Sequence, residues 1–122
     1  MSTLSGAQAI IKSLRENGVN TVFALPGGQL DHLFDAMYRE GEGIRLIHSR
    51  HEQGCAYMAY GYAKSTGRPG VFTVVPGPGV LNAGAAMATA YGADAPVLCL
   101  TANIMSELIG RGRGQLHELP DQ

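Results

Sequence analysis

The sequence contains no tryptophan and only two cysteines among 122 residues, and its net charge is −1. A charge so close to zero gives no electrostatic reason to bind nucleic acid or an anionic membrane surface. No stretch reaches the roughly 18 apolar residues that a membrane-spanning helix requires. The first residues also lack the basic and apolar regions of a signal peptide. We therefore expect a cytoplasmic protein that has neither a nucleic-acid partner nor a membrane partner.

The two cysteines, Cys55 and Cys99, lie far apart and belong to no C-x-x-C pair. One disulfide between them would be possible. Two free, buried thiols in a reducing compartment fit the sequence better, because Cys99 falls inside an apolar run. The histidines His32, His48 and His117 show no metal-ligand spacing, so we predict no metal ligand in this chain.

Short apolar runs alternate with segments of helical periodicity along most of the chain. The predicted strands cover 21–25, 44–48, 71–75 and 96–101, and helical patterns cover 4–14, 30–38, about 52–66 and about 80–92. Continuous apolar strands that alternate with helices predict an α/β fold in three α/β/α layers, with a parallel sheet covered on both faces. We predict a domain over 1–102 that is incomplete at its C-terminal end, followed by a polar loop or tail over 103–122.

Three loops rich in glycine, proline and polar residues follow the first three predicted strands. Right-handed crossovers place such loops together at the carboxyl edge of a parallel sheet, where open α/β folds bind their ligands. The three loops are Pro26-Gly27-Gly28-Gln29, His51-Glu52-Gln53 and Pro76-Gly77-Pro78-Gly79.

Glu52 is the candidate catalytic residue, because it lies where an apolar strand meets the N-terminus of a helix. An acid at this edge of the sheet can share a proton with a ligand. The simpler interpretation is that an acid favours a helix N-terminus, which is worth roughly 0.3–1 kcal/mol. Position alone leaves both interpretations open.

Two predicted helices are rich in small residues, which allow close packing against several neighbours. This packing could lie within the domain or against another subunit. The small residues are Gly54, Ala56, Ala59, Gly61 and Ala63 in one helix, and Ala83, Gly84, Ala85, Ala86, Ala88 and Ala90 in the other. The later segment 110–114 alternates Gly and Arg, but two arginines are too few for an RNA-binding segment, and a mobile loop is the better prediction.

Four motifs in order resemble the N-terminal, pyrimidine-binding domain of thiamine diphosphate-dependent enzymes, most closely the acetolactate synthase group. The resemblance covers nearly all of 5–101 and implies their flavodoxin-like, thiamine diphosphate-binding fold. The motifs are Val22-Phe23-Ala24-Leu25-Pro26-Gly27-Gly28, then Arg50-His51-Glu52-Gln53-Gly54 with Met58-Ala59 and Gly61-Tyr62-Ala63, then Gly67-Arg68-Pro69-Gly70-Val71, and finally Gly77-Pro78-Gly79 with Asn82.

The resemblance implies that Glu52 hydrogen-bonds N1′ of the cofactor's aminopyrimidine. Sharing a proton there favours the imino tautomer, whose nitrogen can take the proton from thiazolium C2. Gln29, His51, Gln53 and Gln115 become possible substrate or supporting residues. The residues implied to shape the pocket of the pyrimidine ring are Pro26, Gly27, Gly28, Gly77, Pro78, Gly79 and Asn82.

Several departures from the family pattern leave the substrate open. Ala24-Leu25 replaces a more usual Gly-Tyr, and the segment around Gln115 lacks an aromatic residue that acetolactate synthases commonly carry. Val75 stands where a benzoylformate decarboxylase would have a histidine, which argues against benzoylformate. The presence of Glu52 argues against glyoxylate carboligase.

The family anchors the cofactor's diphosphate through Mg²⁺ in another domain, which carries a Gly-Asp-Gly motif that this sequence lacks. We therefore expect half of an active site shared between subunits of a dimer or tetramer, acting on a 2-keto acid such as pyruvate. We expect the chain to be a fragment of a lyase or transferase, or else one subunit of a split enzyme. We also expect it to be inactive alone. The alternatives are a non-catalytic assembly module and a nucleotide-binding α/β domain, although Pro26-Gly27-Gly28-Gln29 is a poor phosphate loop.

Overall fold

The computed structural model describes residues 3–120, in which strands and helices alternate along the chain. The strands are β1 (Thr21–Ala24), β2 (Arg45–His48), β3 (Gly70–Thr73) and β4 (Val97–Leu100). The helices are α1 (Gly6–Glu16), α2 (Asp31–Glu40), α3 (Glu52–Thr66) and α4 (Pro78–Gly92), and a 3₁₀ turn covers Gly28–Leu30 before α2.

The four strands form one parallel sheet in the order β2-β1-β3-β4. Ala24, at the end of β1, lies opposite His48 on one side and Thr73 on the other. Thr73 in turn lies opposite Leu100 at the end of β4. All four carboxyl ends therefore meet at one edge, as the loop pattern predicted.

Helices cover both faces of the sheet, which confirms the three-layer prediction. Val22 and Val71 point to one face and belong to a core that α1 and α2 complete. Phe23 and Phe72 point to the other face, where they pack with buried residues of α3 and α4. This alternation follows from the strand geometry, since successive side chains leave a strand on opposite faces.

Both faces of the sheet are covered, but the two edge strands keep partly exposed side chains on one face. Leu46 of β2 and Leu98 of β4 are 42% and 43% exposed. Both point to the face of α1 and α2, because they pair with Val22 and Val71. The predicted burial of the thiols holds for Cys55, whereas Cys99 on the edge strand is only half-buried.

Local signals set the ends of the helices. At the start of α1, the Ser5 hydroxyl accepts a bond from the Gln8 amide at 3.2 Å, and the Gln8 side chain accepts one from the Ser5 amide at 2.8 Å. This reciprocal capping box satisfies two otherwise unpaired amides. Gly67 ends α3 with a positive φ of 67°, a conformation that favours glycine.

The residues of α3 and α4 face two surfaces; the inward-facing small residues confirm close packing within the domain, whereas packing against another subunit stays a prediction. Inward-facing residues let the two helices pack against each other and against the sheet. Outward-facing residues of α4 stay exposed. The inward set is Cys55, Ala56, Ala59, Ala63, Ala83, Ala86 and Ala90, and the outward set on α4 includes Leu81, Ala85, Ala88 and Tyr91.

The segment 103–120 contains turns and neither a helix nor a strand, and 121–122 lie outside the described residues. The predicted boundary between 1–102 and 103–122 stays a prediction. No helix within 3–120 combines the length and the apolar character that crossing a membrane would require. The expected cytoplasmic location also stays a prediction.

Candidate active site

Glu52 is the first residue of α3, at the carboxyl edge of the sheet, and its side chain is half-buried. The preceding residue, His51, has extended backbone angles and caps the helix, since its Nδ1 accepts a bond from the Gln53 amide at 3.2 Å. The Ser49 hydroxyl supports this turn by donating to the His51 carbonyl at 2.8 Å. These local bonds fix the point at which Glu52 enters the helix.

Asn82, on the second turn of α4, reaches the same carboxyl group. Its Nδ2 donates a hydrogen bond to Oε2 of Glu52 at 3.0 Å. The other oxygen, Oε1, lies 3.7 Å from the position that a Cβ on Gly79 would take. The structure thus brings together Glu52, Gly79 and Asn82, which belong to two separate loop-to-helix junctions of the sequence.

The glycine-rich loop before α4 has a backbone that requires its glycines. Gly77 adopts a φ of +64° and caps α4, and Pro78 occupies the first helical position, where its missing N–H costs nothing. Gly79 is buried, and a Cβ there would lie 2.8 Å from Cγ2 of Val75. The helix therefore begins at Pro78, two residues earlier than the periodicity indicated.

The loop after β1 lies at the same edge. Gly27 has an extended backbone and no room for a side chain, because a Cβ would clash with the Val75 side chain. Gly28 starts the 3₁₀ turn with open space around it, Pro26 is exposed, and Gln29 is half-buried. Val75 thus separates the first and third loops, a role that its position in the sequence did not reveal.

His117 is the residue of this edge that sequence reasoning missed. Its backbone carbonyl oxygen and Cα lie 3.1 and 3.2 Å from the position of a Cβ on Gly77. It has a positive φ of 72°, and its buried Nδ1 has no hydrogen-bond partner within the described part of the chain. Its lone position, with no motif around it, gave no signal in the sequence.

Gln115, which the sequence analysis named instead, is exposed. Its backbone amide donates to the Glu118 carboxylate at 2.9 Å, and the Gly112 amide donates to the same carboxylate at 3.1 Å. Glu118 therefore organises the turn that presents His117. A substrate role for Gln115 stays a prediction.

The two thiols are protonated at neutral pH. Burial raises the pKa of Cys55, one turn after Glu52, and the nearby Glu52 charge adds to this effect while hydrogen bonds from Ser49 oppose it. Burial also raises the pKa of Cys99, to about 11. Because the thiolate is the nucleophile, neither cysteine is suited to nucleophilic catalysis.

Metal-ligating side chains do not gather at this edge. Among residues 3–120, no group of three or more His, Cys, Asp or Glu side chains is placed to hold an ion. Among the described residues, the polar groups that meet at this edge are the carboxyl group of Glu52, the side-chain amide of Asn82 and the backbone of the glycine-rich loops.

Comparison with known families decides what kind of domain this is. A family model described as "Thiamine pyrophosphate enzyme, N-terminal TPP binding domain" matches residues 4–122. The chain belongs to the thiamine pyrophosphate enzyme family. Thiamine pyrophosphate is the compound also called thiamine diphosphate, so the match confirms the family resemblance seen in the motifs.

Relatives within the thiamine pyrophosphate enzyme family include a decarboxylase and several synthases. The chain is 42% identical over 120 residues to the "Probable 2-ketoarginine decarboxylase AruI" of Pseudomonas aeruginosa, covering 98% of this chain and 21% of the relative. It is 44% identical over 110 residues to the "Acetolactate synthase large subunit" of Haemophilus influenzae, covering 90% and 19%. The "Acetolactate synthase isozyme 3 large subunit" of Escherichia coli is 42% identical over 110 residues, with the same coverage.

This thiamine pyrophosphate enzyme domain spans about a fifth of the length of those relatives. The family model's match over residues 4–122 includes the whole described edge of the sheet, with Glu52, Asn82 and Gly79. The match also includes the segment that carries His117.

Proposed function

We propose that this chain is the pyrimidine-binding domain of a thiamine diphosphate-dependent 2-keto acid decarboxylase or carboligase, with Glu52 as its catalytic residue. The observation that supports this most directly is the placement of the Glu52 carboxyl group. One oxygen is held by Asn82, and the other faces the glycine backbone of the neighbouring helix. A carboxyl group placed in this way can hold a proton for a ring that enters from the edge of the sheet.

The residues at the edge fit an aminopyrimidine ring. Glu52 would hold the proton at N1′, and the glycine-rich loops that contain Gly27, Gly77 and Gly79 would form the walls of the ring pocket at this edge of the sheet. Bound thiamine diphosphate supplies the reactive C2 carbon and accepts the electrons of a decarboxylation. The protein's share is to orient the ring, keep water away from it and hold one proton at a defined atom.

Mg²⁺ and the diphosphate group would be held by another domain, of the same chain or of a partner. Mg²⁺ favours carboxylate, amide and phosphate oxygens, and such a group of ligands is not assembled among residues 3–120. We therefore expect the isolated chain to be catalytically silent. Turnover of pyruvate by the purified chain, in excess of a Glu52→Gln preparation made in parallel, would contradict this.

The outward face of α4 is the proposed contact with a second subunit or domain. Leu81 is 68% exposed and Tyr91 is 89% exposed, with the small residues Ala85 and Ala88 between them. An apolar face with small residues at its centre allows a helix of a partner to approach closely. This supports a homodimer or a tetramer built from dimers.

The proposed substrate is a 2-keto acid, with pyruvate as the first choice. The relatives are named as acetolactate synthases and as a probable 2-ketoarginine decarboxylase, so both a short and a long, cationic side chain must be tested. The measurement is kcat/KM of the complete enzyme for pyruvate and for 2-ketoarginine, followed as CO₂ release. CO₂ release from neither substrate would argue against the proposed reaction class.

The proposed role of Glu52 is tested by Glu52→Gln in the complete enzyme. General acid–base groups typically contribute 10²- to 10⁴-fold, so we expect kcat to fall by at least about 100-fold. Glu42→Gln is the matched control, because Glu42 is an exposed acid in the turn between α2 and β2. Equal activity of the two variants would exclude a catalytic role for Glu52.

A further inference from the structure

Glu52 and Asn82 meet because the N-terminal ends of α3 and α4 lie side by side at the edge of the sheet. The two residues are 30 positions apart in the sequence, and they come together through the packing of α3 against α4. The 3.0 Å bond from Asn82 Nδ2 to Glu52 Oε2 therefore links the two helices as well as the two side chains. The family resemblance implied that Asn82 shapes the ring pocket, whereas its amide points to the Glu52 carboxyl group.

The two oxygens of Glu52 have different surroundings. Oε2 receives the amide of Asn82, and Oε1 lies beside Gly79, where a side chain would begin to crowd it. A proton on Oε2 would face the hydrogens of the amide, since a primary amide nitrogen only donates. With the amide in this orientation, Oε1 is the oxygen available to a proton, and it lies next to the backbone of Gly79.

The choice of an amide as the partner has a chemical consequence. A lysine or arginine in this place would add a positive charge that holds the carboxyl group in its ionised form. Asparagine adds no charge, and its Nδ2 donates to Oε2 in this structure, so it orients the carboxyl group without pairing it with a cation.

We propose that Asn82 is a positioning residue that fixes the Glu52 carboxyl group with Oε1 toward the aminopyrimidine. This inference depends on the proposed catalytic role of Glu52. Asn82 touches neither reacting atoms nor substrate in this assignment, and it acts only through Glu52. Its removal should therefore slow activation of the cofactor while leaving cofactor binding nearly unchanged.

The test compares variants of the complete enzyme by the rate of hydrogen–deuterium exchange at C2 of bound thiamine diphosphate. Asn82→Leu removes the donor at similar volume, and Asn82→Gln keeps an amide on a longer side chain. Because hydrogen bonds to charged groups are among the stronger ones, we expect exchange to slow by about tenfold or more in Asn82→Leu. Asn82→Gln should recover part of the rate.

Three further measurements separate positioning from general damage. The Kd for thiamine diphosphate, from calorimetry, should change by less than about threefold, and Tm by less than about 4 °C, since the side chain is exposed apart from its bond to Glu52. Crystal structures without cofactor should show Glu52 in a different rotamer in Asn82→Leu. Asn17→Leu is the matched control, because its amide donates at 2.9 Å to the Ser13 carbonyl at the end of α1, away from this edge.

The Glu52→Gln variant distinguishes failure of this inference from failure of the proposed function. If Glu52→Gln slows exchange and Asn82→Leu does not, the positioning role is wrong and the role of Glu52 stands. If Glu52→Gln leaves exchange unchanged, both are wrong. Equal slowing of exchange in Asn17→Leu would also overturn the positioning role. In the double variant of Glu52 and Asn82, the two fold-losses in exchange rate should not multiply, because residues that act as one unit are not additive. Losses that did multiply would overturn the positioning role.

Discussion

Gly79 is the glycine of this domain whose missing side chain has the clearest consequence for the site. A Cβ there would lie 2.8 Å from Cγ2 of Val75 and 3.7 Å from Oε1 of Glu52. We expect Gly79→Ala to lower the free energy of unfolding by about 1–3 kcal/mol, as overpacking usually does. We also expect weaker binding of thiamine diphosphate, because the shift needed to relieve the clash moves the start of α4.

Gly84 on the same helix provides the control for Gly79→Ala. No atom lies within 4 Å of a Cβ built on Gly84. Gly84→Ala should therefore stabilise the protein by about 0.5–1 kcal/mol through helix propensity alone. Chemical denaturation of both variants measures the two effects, and the same sign for both would show that the close approach at Gly79 is not limiting.

Cys99 gives a pH-dependent prediction. Burial raises the pKa of its thiol to about 11 in the folded protein, compared with about 8.5 in an unfolded chain. The folded state thus binds the proton more tightly, so this contribution to stability is complete below about pH 8.5 and is lost as the pH rises toward 11. Urea unfolding of the wild type should weaken more between pH 8.5 and 10.5 than that of Cys99→Val. Identical pH dependence would show that Cys99 titrates normally.

The start of α3 allows capping to be distinguished from proton transfer by His51. Its Nδ1 accepts a bond from the Gln53 amide, so we expect His51→Ala to cost about 0.5–2 kcal/mol of stability and to lower activity by misplacing Glu52. His51→Asn should restore both, because asparagine is a good cap and cannot relay a proton at neutral pH. Stability restored without activity would instead indicate that the imidazole takes part in the reaction.

The sequence predicted the elements well where a local signal marked them. The helix over 52–66 has the bounds that its pattern indicated, because a cap at His51 and Gly67 at the other end both act locally. The strands are one or two residues shorter than predicted, because an apolar run can extend beyond the paired residues at either end, and β3 begins one residue earlier, at Gly70. Exposure of Leu46 and Leu98 was missed because strand order, which makes β2 and β4 the edges, is a property of the whole chain.

The candidate site was predictable only in part, for a related reason. The resemblance to a family identified Glu52, Gly79 and Asn82, yet no pattern in the sequence indicated that Asn82 bonds to Glu52. That contact depends on how α3 packs against α4. The position of His117 at this edge was not predicted, because its placement against Gly77 results from turns within 103–120, and these turns carry no periodic signal.

For the molecule as a whole, the outward face of α4 is the surface to test for subunit contact. Ala88 lies on this face and is exposed, between Leu81 and Tyr91. We expect Ala88→Glu in the complete enzyme to shift the assembly toward smaller species, because a buried, unpaired carboxylate in an interface is costly. Size-exclusion chromatography with light scattering measures the change in mass.

Ala9→Glu is the matched control, since Ala9 is an exposed alanine on α1, on the opposite face of the sheet. It carries the same change in charge and volume and should leave the assembly intact. If the active site is shared between subunits, Ala88→Glu should also lose activity in step with the loss of mass, and raising the protein concentration should restore both. Dissociation without loss of activity would indicate that the complete site lies within one chain. An unchanged mass would indicate that the subunit contact does not involve the outward face of α4.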